Sequence, residues 1–411
     1  MRCFQLSKGD SFGDGVLSIG GEHIGWRGEW ILNNPRFISR EFFNSMSSGR
    51  IRKSDILLVK DGATIGKVAI ATTLPAEEAA VNEHVFILRV TPENDSKYYF
   101  YFMQSPLAQD QIQLEIRGSA QPGLNSELRN VLIAPRPSLD VQRAIADYLD
   151  HETARIDALI AAKERLLALL AEKRRALITR AVTRGLDPHA PMRDSGIPWL
   201  GEIPAHWEVK HAKFLFTQSA LPVFENDEIV TCFRDGEVTL RQNRRLEGFT
   251  QADLEQGYQG VRQGQLVIHS MDAFAGAIGV SDSDGKCSPE YIICDPRDES
   301  VDNYYYSHLL RTMALSGFIQ ASCPAVRERA PRIRFSEFGD MKMPLPPLDE
   351  QRAIVEHITK ETARLDALRA TTERSIALLE ERRAALISAA VTGQIEVSAC
   401  AASTADREAV P

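Results

Sequence analysis

One stretch of this sequence occurs twice and decides the fold. Residues 134–187 read APRPSLDVQRAIADYLDHETARIDALIAAKERLLALLAEKRRALITRAVTRGLD, and residues 343–396 read MPLPPLDEQRAIVEHITKETARLDALRATTERSIALLEERRAALISAAVTGQIE. At a constant shift of 209 positions the two align without a gap, and 29 of the 54 positions are identical. A period of this length is far longer than the roughly 20 to 50 residues of stacked repeats. The chain therefore consists of two long units, each ending in the same segment.

Both copies have the composition of a long helix. Residues 139–184 and 348–392 contain neither proline nor glycine. They are rich in Ala, Leu, Glu, Arg and Lys, which have high helix propensity. Prolines bar a helix upstream of each copy, and the expected capping and stop residues are Asp140, Asp349, Gly185 and Gly393. The pattern predicts two helices of roughly 45 residues.

Apolar residues recur at near-heptad spacing in both helices, which is typical of packing against a partner helix. The expected packing residues are Ile145, Leu149, Ile156, Leu159, Leu166, Leu170, Leu177, Ile354, Ile358, Leu365, Leu368, Leu379 and Leu386. The obvious partner for each helix is the other copy.

Charge favours an antiparallel arrangement of the two helices. Residues 140–157 carry five acids and two bases, whereas residues 163–184 carry seven bases and two acids. Antiparallel pairing sets acidic ends beside basic ends, and parallel pairing sets like charges together. The same polarity also complements the dipole of each single helix, so that simpler interpretation stays open.

Composition restricts the class of protein. A chain of 411 residues with 44% hydrophobic residues fits two or three globular domains. No apolar run approaches about 18 residues and the N-terminus lacks the apolar core of a signal peptide, so we expect a cytoplasmic protein. The six cysteines form no C-x-x-C pair, and no histidine stands in zinc-ligand spacing to them. They are expected to be reduced, structural thiols.

The net charge of -8 is spread unevenly along the chain. Residues 188–345 carry a net charge of -6, whereas residues 36–67 carry seven bases against three acids. In the second half, residues 326–334 (VRERAPRIR) hold four arginines and one acid. Each patch alone fits a solvated surface, but a local basic patch is also what a nucleic-acid phosphate encounters.

The globular part of the first unit has the pattern of a mixed α and β domain. Residues 55–71 (DILLVKDGATIGKVAIA) predict two short strands around a glycine turn, and residues 84–90 predict another strand. Residues 97–116 are expected to be helical, and residues 128–137 to form a last strand. Residues 264–281 align with residues 54–71 at a shift of 210. The globular domains are thus duplicated as well, but they have diverged far more than the helices.

No motif in the sequence supports catalysis. Residues 62–67 (GATIGK) resemble a phosphate-binding loop, but the glycines are one residue too close and Val68 replaces the magnesium-binding hydroxyl. Residues 95–97 form an acid-x-Lys tripeptide without a convincing upstream acid, and residues 33–37 lack the second proline of a methyltransferase motif. There is no Gly-x-Ser-x-Gly or His-Glu-x-x-His motif. The chain is interpreted as non-catalytic.

Three segments carry a resemblance to a known family. They are the helix openings at 137–145 and 346–354, which share P-x-L-D-x-Q-R-A-I, and the linker GIPWLGEIPAHWE at 196–208, which contains Trp199 and Trp207. Together they resemble the specificity subunit of type I restriction-modification systems, and the resemblance covers nearly the whole chain.

The resemblance implies a fold and a function. The fold is α+β, with two mixed α/β target recognition domains joined by two long helices that form an antiparallel coiled coil with pseudo-two-fold symmetry. Each domain reads one half of a bipartite sequence in double-stranded DNA, and the coiled coil sets the unspecified spacer. The subunit docks two methyltransferase subunits, and restriction translocase subunits join the complex. S-adenosylmethionine, ATP and Mg²⁺ are expected on those partners, and none on this chain.

The domain boundaries follow from the repeat. We expect recognition domains at 1–138 and 188–345, spacer helices at 139–187 and 346–396, and a disordered tail at 397–411. The first domain has no counterpart of the tryptophan-containing linker before the second. The expectation is therefore that its start is short or that the true N-terminus lies upstream.

Reading DNA requires donors and acceptors at the base edges and cations at the phosphates. The candidate DNA-binding residues are Arg50, Arg52, Lys53, Lys60, Thr64, Lys67, Arg117, Ser119, Gln121, His269, Asp272, Arg327 and Arg329. For any one of them an ordinary surface charge or a capped turn is an equally good explanation. Two other functions remain open: a coiled-coil scaffold without DNA readout, and an enzyme such as a nuclease with an unrecognised site.

Overall fold

The computed structural model describes residues 15–74, 76–118, 122–244, 257–322 and 332–395. The chain divides into two compact units. Unit 1 comprises residues 1–165 and 372–411, and unit 2 comprises residues 166–371. Each unit therefore combines a globular domain with part of both long helices. The predicted disordered tail at 397–411 lies outside the described residues.

Unit 1 contains a small mixed domain followed by a long helix that continues into unit 2. Its elements in chain order are β1 Gly15–Ile19, β2 Arg36–Ser39, α1 Arg40–Ser45, β3 Ile56–Val59, β4 Val68–Ile70, β5 Ala79–Val81, β6 Val85–Leu88, α2 Ser96–Gln104, α3 Pro106–Leu114, α4 Leu128–Val131 and α5 Leu139–Arg184.

Unit 2 contains the second mixed domain and the start of the second long helix. Its elements are β7 Met192–Asp194, β8 Glu202–Pro204, β9 Glu208–His211, α6 Ala212–Leu215, β10 Phe216–Gln218, β11 Val230–Cys232, β12 Val238–Leu240, β13 Gln259–Val261, β14 Leu266–His269, β15 Ile278–Val280, β16 Gly285–Cys287, β17 Tyr291–Pro296, α7 Asn303–Leu315, α8 Phe318–Ser322, α9 Phe335–Gly339, β18 Lys342–Leu345 and α10 Leu348–Val391.

Strand β3 is the centre of unit 1. It pairs antiparallel with β4 on one side and β6 on the other. Ile56 and Leu58 pack with α2 and α5, whereas Leu57 and Val59 pack with β1 and β5. Both faces of the strand are therefore covered, which explains its uninterrupted apolar sequence. A second sheet has the order β2-β1-β5, in which β1 and β5 are parallel.

Strand β14 has the same position in unit 2. It pairs antiparallel with β15 and β17 in a sheet of order β10-β17-β14-β15. Leu266 and Ile268 face the larger core, which also holds Trp207 and Tyr305, and Val267 faces a smaller one. Strands β3 and β14 begin at positions 56 and 266, a separation equal to the shift of 210 read from the sequence.

The two long helices have the predicted extent. The first begins at Leu139 and ends at Arg184, and the second runs from Leu348 to Val391. Gly185 and Gly393 follow with positive φ angles of 70° and 73°, a conformation in which glycine is favoured because it lacks a Cβ atom.

Within each unit, the start of one long helix shares a core with the end of the other. In unit 1, Ile145 and Leu149 lie in one cluster with Ile387 and Val391. The corresponding cluster of unit 2 contains Ala181, Val182, Ile354 and Ile358. Of the other expected packing residues, Ile156, Leu170 and Leu365 are buried, and Leu177, Leu379 and Leu386 are half-buried.

Three expected packing residues are exposed, which corrects the sequence interpretation. Leu159, Leu166 and Leu368 are 52%, 37% and 45% exposed. Around Leu159 the buried face of the helix runs through Ile156 and Ile160, which are four residues apart. Leu159 precedes Ile160 and therefore points about 100° away from that face. The other two lie at the edges of unit 2 and do not belong to its core.

Two further segments differ from expectation. Residues 128–137 do not form a strand; Leu128–Val131 is a short helix, and the backbone of Ile133 bonds the Gln111 side chain at 2.7 and 3.1 Å instead of a neighbouring strand. The helical stretch 97–116 is two helices, because Ser105 caps a second one that begins with Pro106. In the part of the chain that the structure describes, no helix is long and apolar enough to cross a membrane.

Candidate nucleic-acid interface

Two predicted site segments meet at one end of β3. The turn after this strand contains Gly62 and Gly66, with φ angles of 83° and 95°. Gly62 N–H donates to the Pro122 carbonyl at 3.3 Å, and Leu124 N–H donates to the Lys60 carbonyl at 2.8 Å. The glycine turn and the loop that ends at Leu124 therefore lie side by side.

The charges at this turn are partly paired with one another. The Lys60 ammonium is 2.7 Å from the Asp61 carboxylate, and the His84 Nδ1 atom lies 3.3 Å from the same carboxylate. Partial burial acts to raise the pKa of Asp61, but the hydrogen bonds from Lys60 and His84 outweigh it and lower the pKa. Asp61 and His84 are not among the predicted site residues, and the structure adds them to this turn through their contacts with Lys60 and with each other.

Lys67 and Thr64 are not fully exposed. Lys67 is buried, and its ammonium stands 5.7 Å from the ring centroid of Trp26, which is exposed. Thr64 is half-buried. Trp26 comes from a distant segment, so spacing along the sequence could not associate it with Lys67.

Arg50, Arg52 and Lys53 lie at the opposite end of β3. Arg50 donates to the carbonyls of Phe43 and Asn44 at 3.0 and 2.6 Å, so its guanidinium braces the chain. Arg52 and Lys53 are exposed, and the structure does not bring them to the glycine turn.

The loop before Leu124 offers one exposed cation. Arg117 donates to the Leu114 carbonyl at 3.1 Å and lies 3.7 Å from Glu115, while most of its side chain remains exposed. Two further candidates, Ser119 and Gln121, lie outside the described residues.

In unit 2 the turn after β14 corresponds to the glycine turn. His269 Nδ1 accepts a hydrogen bond from Asp272 N–H at 3.1 Å, and its ring stands edge-on to Tyr291 with centroids 4.6 Å apart. Burial lowers the pKa of His269, so the ring is neutral at pH 7. Ile333 N–H donates to the Ser270 carbonyl at 3.1 Å, which brings the segment after residue 331 to this turn.

Two exposed arginines beside this turn are not in the candidate set. Arg234 lies 2.9 Å from Asp272, and Arg332 lies 3.2 Å from Glu290. Arg332 belongs to the basic stretch that the sequence singled out, whereas nothing in the sequence associates Arg234 with Asp272. The candidates Arg327 and Arg329 lie outside the described residues.

Each unit therefore presents a turn, an adjoining loop and exposed cations at the end of its central strand. Arginine and lysine at such an edge can contact phosphates, while turn and loop backbone can approach base edges. Among the described residues there is no cluster of His, Cys, Asp or Glu that could hold a metal. Asp95, from the nuclease-like tripeptide, caps α2 by accepting from Tyr98 N–H at 3.0 Å.

The cysteines of the described chain have no role at this interface. Cys232, Cys287 and Cys294 are buried free thiols. Burial raises the pKa of Cys287 to about 12, so this sulfur stays protonated and unreactive at neutral pH.

Comparisons with known proteins show which family this chain is similar to. The family model for the type I restriction modification DNA specificity domain matches residues 4–168. The chain is 22% identical over 367 residues to the type I restriction enzyme MjaVIII specificity subunit of Methanocaldococcus jannaschii, covering 84% of this chain and 80% of the relative. It is 23% identical over 350 residues to the EcoBI specificity subunit of Escherichia coli, covering 79% and 71%. The resemblance stated from the sequence is thereby confirmed.

Solved structures share the fold. A chain from work on complex assembly and conformational transition of the type I R-M system matches with a TM-score of 0.61 at 16% identity, covering 92% of this chain and 91% of that one. The HsdS subunit from Thermoanaerobacter tengcongensis matches with a TM-score of 0.50 at 16% identity, covering 93% and 91%. These neighbours agree with a mixed α and β fold built with long helices.

Proposed function

We propose that this chain is the DNA-binding specificity subunit of a type I restriction-modification complex and that each of its globular domains reads one half of a bipartite target. The observation that carries the proposal is the equivalence of the two candidate interfaces. In unit 1 the Leu124 amide bonds the Lys60 carbonyl at 2.8 Å, and in unit 2 the Ile333 amide bonds the Ser270 carbonyl at 3.1 Å. The same turn and loop are thus built twice from diverged sequences.

Divergence at equivalent turns supports two different half-sites. The turn of unit 1 carries Lys60 and Asp61, whereas the equivalent positions in unit 2 carry Ser270 and Met271. Side chains at the base edges determine which bases are accepted, and cations on the phosphates determine position but not sequence. Two such edges with different side chains read two different short sequences.

The long helices act as the ruler between the half-sites. Asp157 pairs with Arg383 at 3.0 Å, and Arg174 pairs with Asp366 at 2.6 Å. The residue number rises from 157 to 174 along the first helix while that of the partner falls from 383 to 366 along the second. This order supports antiparallel pairing. Together with the shared cores at the helix ends, it supports the coiled coil and the pseudo-two-fold duplication that the resemblance implies.

The catalytic work belongs to partner subunits in this proposal. Two methyltransferase subunits dock on this chain and carry S-adenosylmethionine, and translocase subunits carry ATP and Mg²⁺. The assembled complex is then a site-specific deoxyribonuclease and adenine methyltransferase.

The test is single-molecule sequencing of DNA adenine methylation in cells with and without the gene. We expect a motif of two fixed halves separated by a fixed number of unspecified bases, lost on deletion and restored by the wild-type gene. A strain complemented with a prematurely terminated gene is the control. A genome without such a motif would contradict the proposal, and the coiled-coil scaffold without DNA readout would become the better account.

A further inference from the structure

A buried glutamine ties each globular domain to the beginning of a long helix. In unit 1 the Gln142 Oε1 atom accepts from Asp95 N–H at 2.8 Å, and its Nε2 atom donates to the Pro137 carbonyl at 2.9 Å. In unit 2 Gln351 accepts from Asp302 N–H at 2.9 Å and donates to the Pro346 carbonyl at 2.8 Å. Both glutamines are almost fully buried.

The residue that each glutamine holds begins a domain helix. Asp95 caps α2 by accepting from Tyr98 N–H at 3.0 Å, and Asp302 caps α7 by accepting from Tyr305 N–H at 3.0 Å. The amide group of the glutamine and the cap of the domain helix thus form one connected hydrogen-bond system. A movement of the domain helix relative to the long helix has to break it.

A buried tyrosine ties the same domain helix to the end of the other long helix. The Tyr98 hydroxyl donates to the Val391 carbonyl at 3.1 Å, and the Tyr305 hydroxyl donates to the Val182 carbonyl at 2.9 Å. The last four carbonyls of a helix have no partner within it. Each tyrosine therefore satisfies a carbonyl that only a helix end can offer, and it recognises that end.

Each domain helix is consequently bonded to two different helices at once. If one long helix slid by one turn against the other, it would move by about 5.4 Å, and the glutamine and tyrosine bonds of a unit could not both persist. Neighbouring base pairs are about 3.4 Å apart along the duplex and differ by about a tenth of a turn. A displacement of this order would bring a domain to bases one or two positions away.

We propose that Tyr98 with Gln142, and Tyr305 with Gln351, are positioning residues that lock each recognition domain onto a matched pair of helix ends and thereby fix the number of unspecified bases in the target. The inference rests on the proposed function. It assigns gap length to two local hydrogen-bond systems in addition to helix length.

The test uses the full chain, expressed with its methyltransferase partner in cells that lack the native gene. The variant carries Tyr98→Phe and Tyr305→Phe, which remove the two hydroxyls and keep both rings. Methylation is counted at sites with the normal gap and at sites whose gap is one base longer or shorter. We expect methylation at the altered gaps, relative to the normal gap, to rise about five- to tenfold, which is the effect of a lost hydrogen bond. Both half-sites should stay unchanged.

The matched control is Tyr306→Phe. The Tyr306 hydroxyl is also buried and donates to the Pro344 carbonyl at 3.0 Å, but Pro344 lies in β18 and not at a helix end. This variant should lose comparable stability and keep the wild-type gap ratio. The single variants Tyr98→Phe and Tyr305→Phe provide the measurement if the double variant does not accumulate, and each should relax the gap to a smaller extent.

The outcomes separate the two proposals. If wild type produces a bipartite motif and the tyrosine variants keep the gap as strictly as Tyr306→Phe does, the positioning role is wrong and the proposed function stands. If wild type itself produces no bipartite motif, both are overturned. Restoring tyrosine at position 98 in the double variant should lower the methylation at altered gaps part of the way back to the wild-type level.

Discussion

Two equivalent ion pairs between the long helices differ in exposure, because the arginine of one is buried in unit 1 and that of the other is half-exposed in unit 2. Arg383 and Arg174 are separated by 209 positions, and so are their partners Asp366 and Asp157. In unit 1 the Arg383 side chain is 9% exposed and also donates to Gln104 Oε1 at 3.2 Å and to the Arg27 carbonyl at 3.1 Å. In unit 2 the Arg174 side chain is 42% exposed and lines a cavity of about 1060 Å³.

The difference originates in the globular domains. Gln104 ends α2 nine residues after Asp95, and Arg311 has the same spacing from Asp302 on α7. The Gln104 side-chain oxygen accepts a hydrogen bond from Arg383. The guanidinium of Arg311 has no acceptor atom for Arg174 and carries the same charge. The duplicated helices thus keep the same charged residues while the domains give them different surroundings. Residues equivalent by sequence are therefore expected to differ in energy.

The largest predicted contrast is between Arg383→Met and Arg174→Met. The first removes a buried cation with three acceptors and leaves Asp157 uncompensated, so we expect a loss of about 3 kcal/mol in the free energy of unfolding of unit 1. The second removes a half-exposed ion pair and should cost less than about 1 kcal/mol. Chemical denaturation of the full chain measures both, and equal losses would contradict the comparison.

The second contrast concerns acid stability. His308 is the counterpart of Tyr101, since each stands six residues after the capping aspartate of its helix. Burial, with a further contribution from Arg311, lowers the pKa of His308 to about 4. Below about pH 6.5 the His308 side chain is protonated in the unfolded chain but stays neutral in the folded chain. The free energy of unfolding is therefore unaffected above that pH and falls as the pH drops towards 4.

We expect unit 2 to lose about 2 to 3 kcal/mol by this route between pH 7 and pH 4. His308→Gln should flatten that part of the profile, measured by thermal unfolding across pH. The matched control is His189→Gln, because His189 is an exposed histidine of the same unit. A profile equally steep in His308→Gln and wild type would show that other groups govern the acid transition.

The smallest contrast comes from exchanging the two equivalent residues. Gln104→Arg places a second guanidinium beside Arg383 and should destabilise unit 1 by about 1 to 2 kcal/mol. Arg311→Gln removes the like charge beside Arg174 and should change the stability of unit 2 by less than about 1 kcal/mol in either direction. It should also raise the pKa of His308, which NMR titration can follow. A stabilised Gln104→Arg variant would remove the basis of the comparison.

The sequence predicted the parts of the fold that depend on local rules. Helix ends were correct because proline and glycine stop a helix whatever surrounds it. Strands β3 and β14 were correct because an apolar run bounded by turn residues has few alternatives. The prediction that Leu159 packs between the helices was wrong because a heptad pattern drifts against the 3.6-residue helical turn. The prediction of a strand at residues 128–137 was wrong because the backbone there bonds the Gln111 side chain and not a neighbouring strand.

The candidate site was less predictable because its residues meet only in three dimensions. The turn at Gly62 and the loop at Arg117 were both expected, but their adjacency depends on a bond to Pro122. Trp26 beside Lys67 and Arg234 beside Asp272 join segments that are far apart in the chain. Which members of the candidate set contact DNA stays a prediction.

The backbone amides of the central strands report the stability of each unit separately. Strands β3 and β14 are covered on both faces and paired along both edges. Their amides have no route to solvent through local fraying, so they exchange hydrogen only when their own unit opens. Exchange rates at Leu57 and Val267 therefore report the opening free energies of units 1 and 2 separately in one intact chain, without cutting the long helices that both units share.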